Sequence, residues 1–281
     1  MTVIQMPRLE DRFSGAQGLS LFYQAWYPPG IAKAVIALVH GFGEHCDRYC
    51  TVTNALTQAG YAIFGFDNQG HGRSEGQRGH INRWQDYRDN VSAFLAKVRH
   101  HEPHLPLFVL GHSLGGLIVL DFALTSPQGL SGIIISGPPI RPVGIAKPYL
   151  VAIARLLSGI WPRFSMEVGT GAESLSRDPV VLQQIQNDPL KHSMATVRWG
   201  TECLFAIATV RRTISHLQVP ILLVHGSADK VNDVRGSKEI FECITTDKTL
   251  KIYPGSYHEP HNDLDRNQVM SDLVQWLDHH L

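Results

Sequence analysis

Short runs of β-branched and other apolar residues alternate with longer amphipathic stretches along most of the chain. The strand-like runs lie at 18–26, 34–39, 62–66, 107–110, 133–136, 221–224 and 249–253. Several of them are apolar throughout, which is typical of parallel strands covered on both faces. The stretches between them, such as 84–98 and 269–277, carry their apolar residues on one helical face. This alternation predicts an α/β protein with a mostly parallel central sheet flanked by helices.

One interval, 138–217, interrupts the alternation because it contains no convincing strand-like run. Four prolines mark its entry: Pro138, Pro139, Pro142 and Pro148. We therefore predict that 1–137 and 218–281 form one core and that 138–217 is a helical cap inserted into it. Within the interval, 149–161 is strongly apolar but too short to cross a bilayer. This stretch is suited either to cover a pocket and touch a membrane surface or to pack on the core.

The balance of positive and negative residues limits which kinds of molecule the protein is expected to bind. Lys and Arg number 25, as do Asp and Glu, so the 281-residue chain has a formal net charge of zero. This balance argues against nucleic acid and favours a small partner that is uncharged or apolar. Residues 1–10 lack the basic start and apolar run of a secretory signal, so we expect a cytoplasmic location, with peripheral membrane contact left open.

A serine between glycines is the first candidate for chemistry. In Gly111-His112-Ser113-Leu114-Gly115 it follows an apolar strand and precedes a helix that is apolar nearly all round. A strained strand-to-helix turn of this kind exposes a nucleophile at the N-terminus of a helix, where developing negative charge is favoured. The same letters also fit an ordinary glycine-rich turn, so Ser113 needs partners.

A serine nucleophile requires a base, and the base requires an orienting acid. Asp229 follows the predicted strand 221–224, and His258 follows the strand that ends at Tyr253. Carboxyl ends of parallel strands meet at one edge of a sheet, and the order Ser, Asp, His is the one found in α/β-hydrolases. We predict a triad of Ser113, Asp229 and His258.

The loop after the strand 34–39 is the candidate for the second half of an oxyanion hole. The backbone N–H groups of Phe42 and Leu114 are its predicted donors, with Gly41 and Gly43 allowing the tight turn. His40 and Glu44 are interpreted as supports that hold this loop by hydrogen bonds.

Metal and cofactor chemistry find no support in the motifs. His258-Glu259-Pro260-His261 is not a zinc motif, because Pro260 disrupts the required helical spacing. The chain has four cysteines: Cys46, Cys50, Cys203 and Cys243. Their spacings are not those of a zinc site and they are too few for a disulfide scaffold, so we expect them to be reduced thiols. We predict no metal and no cofactor, and leave open whether Cys46 and Cys50 have a role.

Several longer motifs resemble the monoacylglycerol lipase family, which includes lysophospholipase-like enzymes. They lie at 40–49, 67–76, 111–116, 226–229 and 251–258 and span nearly the whole chain. The resemblance implies an α/β-hydrolase fold in which a mobile apolar cap collects lipid from membranes. It also implies a serine hydrolase that releases one fatty acid from glycerol. Mammalian members carry a tyrosine where this chain has Ile185, so the head group stays open.

The leading hypothesis is hydrolysis of a single-chain lipid ester through an acyl-enzyme on Ser113. Lysophospholipase, carboxylesterase and acyl thioesterase activities remain alternatives, since fold and triad do not separate them. A ligand-binding relative without catalysis is the alternative from another class. The oligomeric state is left open.

Overall fold

The computed structural model describes residues 8–144, 148–168 and 171–281. Its strands are β1 (Arg8–Ser14), β2 (Ser20–Trp26), β3 (Val35–Val39), β4 (Ala62–Phe66), β5 (Leu107–His112), β6 (Gly132–Ser136), β7 (Ser165–Glu167), β8 (Met194–Thr196), β9 (Ile221–Gly226) and β10 (Lys248–Tyr253). Its helices are α1 (Cys50–Gln58), α2 (Gln85–His101), α3 (Leu114–Thr125), α4 (Pro148–Ile160), α5 (Pro179–Gln186), α6 (Val197–Thr213), α7 (Val234–Cys243) and α8 (Arg266–His279). Short 3-10 segments lie at Ala16–Gly18, Cys46–Tyr49, Ala172–Ser174, Ile214–His216 and Pro260–Asn262.

Eight strands form one sheet in the order β1-β2-β4-β3-β5-β6-β9-β10. The pairs β1·β2 and β2·β4 are antiparallel, and the pairs from β4 through β10 are parallel. The predicted mostly parallel α/β sheet is therefore confirmed. Each of the seven strand-like runs corresponds to a strand of this sheet.

Helices cover the sheet on both faces, which explains why its central strands are apolar throughout. In β3, Val35, Ala37 and Val39 point into the core layer under α2, α3 and α6, whereas Ile36 and Leu38 point into the layer under α1 and α8. Successive side chains of a strand face opposite sides, so a strand buried on both faces has no polar alternation.

Two features of the sheet differ from the sequence-based expectation. The edge strand β1 was not predicted, because Glu10, Asp11 and Arg12 interrupt its apolar pattern and Phe13 is its buried anchor. The expectation that 138–217 contains no strand was wrong, since β7 and β8 pair as a small antiparallel hairpin. Each has three residues, which is too short for a periodic pattern.

Between β6 and β9 the chain forms α4, the β7–β8 hairpin, α5 and α6, none of which joins the eight-stranded sheet in the described residues. Helix α4 packs on α6, and α6 packs on α3 of the core. The outer face of α4 is exposed and apolar, with Ile153, Leu156 and Ile160 each more than half exposed. Whether 138–217 behaves as a separate cap stays a prediction. No helix in the described ranges has the length and apolarity needed to cross a membrane.

Candidate active site

The turn between β5 and α3 holds Ser113 in a strained backbone conformation. Its φ is 51°, and Gln17 is the one other non-glycine residue with positive φ among those described. A Cβ on Gly111 would lie 2.4 Å from the carbonyl oxygen of Gly115, and one on Gly115 would lie 2.0 Å from that of Val39. The two glycines therefore let α3 start directly against the sheet. This is the geometry of a nucleophile elbow rather than of an ordinary turn.

The three predicted triad residues, Ser113, His258 and Asp229, are joined by two consecutive hydrogen bonds. The Ser113 hydroxyl donates to Nε2 of His258 across 3.0 Å, and His258 Nδ1 donates to Oδ2 of Asp229 across 2.8 Å. The other carboxylate oxygen of Asp229 accepts the backbone N–H groups of Val231 and Asn232 at 2.7 and 2.9 Å. Asp229 is thus fixed by its own loop, and it fixes the ring of His258.

Sequence reasoning missed one further partner of Asp229. His225, at the end of β9, is fully buried, and its Nε2 lies 2.9 Å from the carbonyl oxygen of Asn232 and 3.1 Å from Oδ2 of Asp229. Both neighbours accept hydrogen bonds, so Nε2 carries the proton, while Nδ1 accepts from the Ser237 hydroxyl at 2.7 Å. A polar residue at the end of an otherwise apolar strand was the available signal.

The environment shifts the pKa values of the acid and the base in opposite directions. Burial alone would raise the pKa of Asp229, but the charge of His258 and hydrogen bonds from His225 and His258 hold it far below its ordinary value. Burial would lower the pKa of His258, and the neighbouring carboxylate of Asp229 outweighs burial and raises it. The pair therefore favours an ionised Asp229 and stabilises the imidazolium that forms when His258 takes a proton.

The loop after β3 lies against Ser113. A Cβ on Gly41 would be 3.3 Å from the Cβ of Ser113, and one on Gly43, where φ is 73°, would be 2.2 Å from the carbonyl oxygen of His192. The Glu44 carboxylate accepts the N–H of Gly41 at 2.5 Å. The structure therefore places Phe42, between these glycines, beside the serine together with Leu114, the first residue of α3.

His40 and Cys46 lie beside the loop in buried positions that suit support rather than chemistry. Nδ1 of His40 donates to the carbonyl oxygen of Gly41 at 2.7 Å, and its Nε2 accepts the N–H of Asn68 at 2.9 Å. Burial lowers the pKa of His40 to about 4, so its ring is neutral. Burial also raises the pKa of the Cys46 thiol well above its ordinary range, whereas Cys50 is exposed.

A charged network lies beside the triad. Arg48 donates to both carboxylate oxygens of Glu259 at 2.8 and 2.9 Å, and its Nε lies 3.2 Å from Glu44. All three side chains are less than a tenth exposed. Burial raises the pKa of Glu44; burial would also raise that of Glu259, but the Arg48 charge lowers it. Since Arg48 and Glu259 are 211 residues apart, no spacing in the sequence could pair them.

Two compartments meet at Ser113. One, called the polar compartment because its lining includes the polar and charged residues Glu44, Arg48, Lys191, His192 and Glu259, has a volume of about 130 Å³ and is also lined by apolar residues such as Phe42, Leu175 and Val231. The other is an apolar cavity of about 610 Å³, lined by α3, α4 and α6 through residues that include Leu117, Val151, Ala154, Trp199, Leu204 and Ile207. Ser113 and Phe42 line both. Ile185 is buried and lines neither; it faces a third cavity beyond Arg48.

No group of three or more His, Cys, Asp or Glu side chains in the described part of the chain could hold a metal ion. The absence of a metal and of a cofactor stays a prediction.

Comparison with known proteins places this site in a family. The family model described as serine aminopeptidase, S33, matches residues 30–265. A monoacylglycerol lipase of Mycolicibacterium smegmatis is 31% identical over 99% of this chain and 100% of its own length. A monoglyceride lipase of Rattus norvegicus is 34% identical over 95% of this chain and 89% of its own.

Solved structures agree with this placement. The Paleococcus ferrophilus monoacylglycerol lipase superposes with a TM-score of 0.85 at 29% identity, covering 93% of this chain and 99% of that one. A soluble variant of the Saccharomyces cerevisiae monoglyceride lipase, bound to a substrate analogue, reaches 0.88 at 26% identity, covering 100% and 97%. The resemblance inferred from the motifs is confirmed: the chain belongs to the serine aminopeptidase S33 family of α/β-hydrolases, in the same family as the monoacylglycerol lipases.

Proposed function

We propose that this protein is a monoacylglycerol lipase, which hydrolyses the ester of a lipid with one acyl chain. The observation that carries the proposal is the position of Ser113, where a small polar compartment meets a larger apolar cavity. An ester placed at this junction has a polar alcohol on one side and a hydrocarbon chain on the other. The relatives named monoacylglycerol lipase and monoglyceride lipase support the same substrate class.

The triad geometry supports a two-step reaction. The oxygen of Ser113 attacks the acyl carbonyl carbon while His258 Nε2, 3.0 Å away, takes the hydroxyl proton. The carbon–oxygen bond to the alcohol then breaks, and His258 returns the proton to the leaving oxygen. Water attacks the acyl-enzyme with His258 again as base; the ester bond to the Ser113 oxygen breaks, His258 returns the proton to that oxygen, and the fatty acid leaves. Asp229 stays ionised and holds the proton on Nδ1 of His258.

The oxyanion of each tetrahedral intermediate is proposed to bind the backbone N–H groups of Phe42 and Leu114. Both flank Ser113, and the Leu114 N–H opens helix α3, whose N-terminus favours negative charge. The Glu44 bond to Gly41 supports the loop that presents Phe42. The Phe42 ring also packs on Trp199 of α6, with centroids 4.4 Å apart.

The alcohol side supports a small leaving group. A compartment of about 130 Å³ suits glycerol better than the nucleotide-bearing leaving group of an acyl thioester. It does not suit the free amino terminus that an aminopeptidase must bind, because both carboxylates in its lining, Glu44 and Glu259, are already paired with Arg48.

The walls of the apolar cavity, where the acyl chain is proposed to bind, support the prediction that 138–217 forms a cap. Helices α4 and α6 wall the apolar cavity from this segment. The outer face of α4 and the residue after it expose large apolar side chains: Tyr149, Ile153, Leu156, Ile160 and Trp161. An exposed apolar stripe of this kind is suited to peripheral contact with a lipid surface, from which a single-chain ester can enter the cavity.

The test compares wild-type protein with Ser113→Ala on monoacylglycerols, on diacylglycerols and on aminoacyl amides. We expect release of fatty acid from monoacylglycerols by the wild type, with fluorophosphonate labelling that Ser113→Ala abolishes. Failure of the wild type to label would favour a non-catalytic binding protein, and cleavage of aminoacyl amides with no cleavage of monoacylglycerols would overturn the proposed substrate.

A further inference from the structure

A buried carboxylate outside the triad, Asp263, holds the loop that carries His258. Its side chain is fully buried, and its Oδ2 accepts the N–H of Tyr257 at 2.8 Å and the hydroxyl of Ser256 at 3.1 Å. Tyr257 directly precedes His258 in the chain. Asp263 therefore fixes the backbone at the residue next to the proposed base.

The loops that carry the acid and the base of the triad also contact each other. The carbonyl oxygen of Ser256 accepts the N–H of Ala228, which directly precedes Asp229, at 3.0 Å. A Cβ on Gly226 would lie 2.3 Å from the same oxygen, so the two loops are in close contact. By holding Ser256, Asp263 therefore supports the position of the acid as well as that of the base.

The cation that pairs with Asp263 comes from the chain segment between β6 and β9. Arg177, which lies just before α5, donates its backbone N–H to Asp263 at 2.9 Å and its Nε to the two carboxylate oxygens at 3.0 and 3.1 Å. Burial would raise the pKa of Asp263, but backbone N–H groups, that of Tyr257 foremost, and the Arg177 side chain hold it below its ordinary value. Arg177 and Asp263 therefore form one charged unit, although 86 residues separate them.

This unit lies away from the space where the substrate is proposed to bind. Neither Arg177 nor Asp263 lines the polar compartment or the apolar cavity. Helices α4 and α6, from the same segment of the chain, wall the apolar cavity instead. An effect of Arg177 on catalysis must therefore pass through Asp263 and the loop of His258, and not through contact with an ester.

We propose that Arg177 is a positioning residue for His258, because its pairing with Asp263 holds the loop in which His258 takes the proton of Ser113. This inference rests on the proposed ester hydrolysis at Ser113. Without Arg177, Asp263 is a buried carboxylate that lacks its cation, and the loop must rearrange to solvate it. A displacement of a reacting group by about 1 Å lowers a rate by up to about a hundredfold. The segment between β6 and β9 thus contributes to the chemical step and not only to the walls of the acyl cavity.

The experiment measures kcat and KM for p-nitrophenyl acetate, whose acyl group is too short to fill the cavity between α4 and α6. Arg177→Met keeps an unbranched stem and removes the guanidinium. We expect kcat to fall roughly ten- to a hundredfold while KM stays within about twofold, because His258 acts in both steps of the reaction. Arg177→Lys keeps a cation near Asp263 but not the planar donor, and its kcat should lie between those of Arg177→Met and wild type. Each variant is assayed well below its own Tm, so that loss of folded protein does not lower kcat.

The matched control is Asp178→Asn, which removes a second ion pair between the same segment and the core. Asp178 lies next to Arg177 and accepts a hydrogen bond from Arg266 at 2.6 Å. Its side chain also caps α5 through the N–H of Val180, a role that asparagine can take over. We expect kcat of Asp178→Asn to stay within about twofold of wild type. An equal loss of kcat in Asp178→Asn and Arg177→Met would overturn the specific role of Arg177.

A second readout does not depend on turnover. The proton on Nδ1 of His258 is hydrogen-bonded to Asp229, and its downfield proton NMR resonance reports that bond. We expect the resonance to broaden or move upfield in Arg177→Met and to stay in place in Asp178→Asn.

The outcomes separate this inference from the proposed function. An unchanged kcat with an unchanged resonance in Arg177→Met would overturn the assignment of Arg177 and leave ester hydrolysis standing. A raised KM at unchanged kcat would also overturn it, since Arg177 would then act on binding. Wild-type protein whose resonance depends on Arg177, but which cleaves neither p-nitrophenyl acetate nor monoacylglycerol, would instead overturn the proposed function.

Discussion

The two compartments beside Ser113 are built in different ways. In the polar compartment, Arg48, Glu44 and Glu259 are buried and held by mutual ion pairs and hydrogen bonds. The apolar cavity is walled by aliphatic and aromatic side chains of α4 and α6, and the far side of α4 is exposed. Fixed polar groups select by geometry and charge, whereas an apolar wall is tolerant of chain length. We therefore expect strict selection of the alcohol and looser selection of the acyl chain.

The largest loss of activity should follow substitution of Asp229, because its role does not depend on the alcohol or on the acyl chain of the substrate. Asp229→Asn removes the acceptor that sets the tautomer of His258, and we expect kcat to fall about 10⁴-fold for every ester, whatever its alcohol or chain. The measurement is kcat on two alcohols and two chain lengths. The control is Asp247→Asn, an exposed carboxylate near the C-terminal helix, which should retain activity. A loss confined to one alcohol or one chain would show that Asp229 acts on binding.

The polar compartment should tolerate substitution of its charged residues poorly. Arg48→Met leaves Glu44 and Glu259 buried without their cation, and the free energy of unfolding should fall by about 3–5 kcal/mol. Urea denaturation measures this loss. Arg235→Met provides the control, because that arginine is exposed and its one ion pair among the described residues is with Asp233. The free energy of unfolding of this variant should stay near the wild-type value. Equal losses would mean that the buried network contributes no more than a surface pair.

The pH profile follows from the raised pKa of His258. The base must be neutral to accept the proton of Ser113, so kcat/KM should fall about tenfold per pH unit once the pH drops below that pKa. The apparent pKa should lie above the ordinary 6.5 of histidine, because the Asp229 carboxylate stabilises the charged ring. In Asp229→Asn the same profile should move to lower pH, since burial then acts without the compensating charge. A profile that stays in place in the variant would contradict this cause.

The smallest effect should come from the apolar cavity. Leu204→Trp adds bulk to its wall, and we expect kcat/KM for a long acyl chain relative to a short one to fall about tenfold while short esters are still cleaved. Phe205→Trp is the matched control, because Phe205 is the next residue of α6, its side chain is 63% exposed, and it does not line the cavity. If both variants changed chain preference alike, the acyl chain would not lie in this cavity.

Much of the sheet could be predicted because strands buried on both faces leave a strong local signal. The elbow at Ser113 was equally local, since Gly111 and Gly115 flank it within five residues. Asp229 and His258 could be named because each follows a predicted strand, and parallel strands bring their carboxyl ends together. The structure places both within hydrogen-bond distance of their partners.

The parts that could not be predicted depend on distant contacts or on very short elements. The pairing of Arg48 with Glu259 joins segments 211 residues apart, so no periodic pattern in the sequence could predict it. The same holds for Lys191, which reaches the site because Asp188 and His192 anchor its loop to the core. Strands of three residues, such as β7 and β8, are set by tertiary pairing and not by their own pattern.

The central claim is that the two compartments bind opposite ends of one ester. A crystal structure of the protein with a phosphonate analogue of monoacylglycerol bonded to Ser113 tests it most directly. We predict the acyl chain in the cavity walled by α4 and α6, the glycerol beside Arg48 and Lys191, and the phosphonate oxygen on the N–H groups of Phe42 and Leu114. An acyl chain lying against Arg48, or a glycerol lying between α4 and α6, would contradict the account.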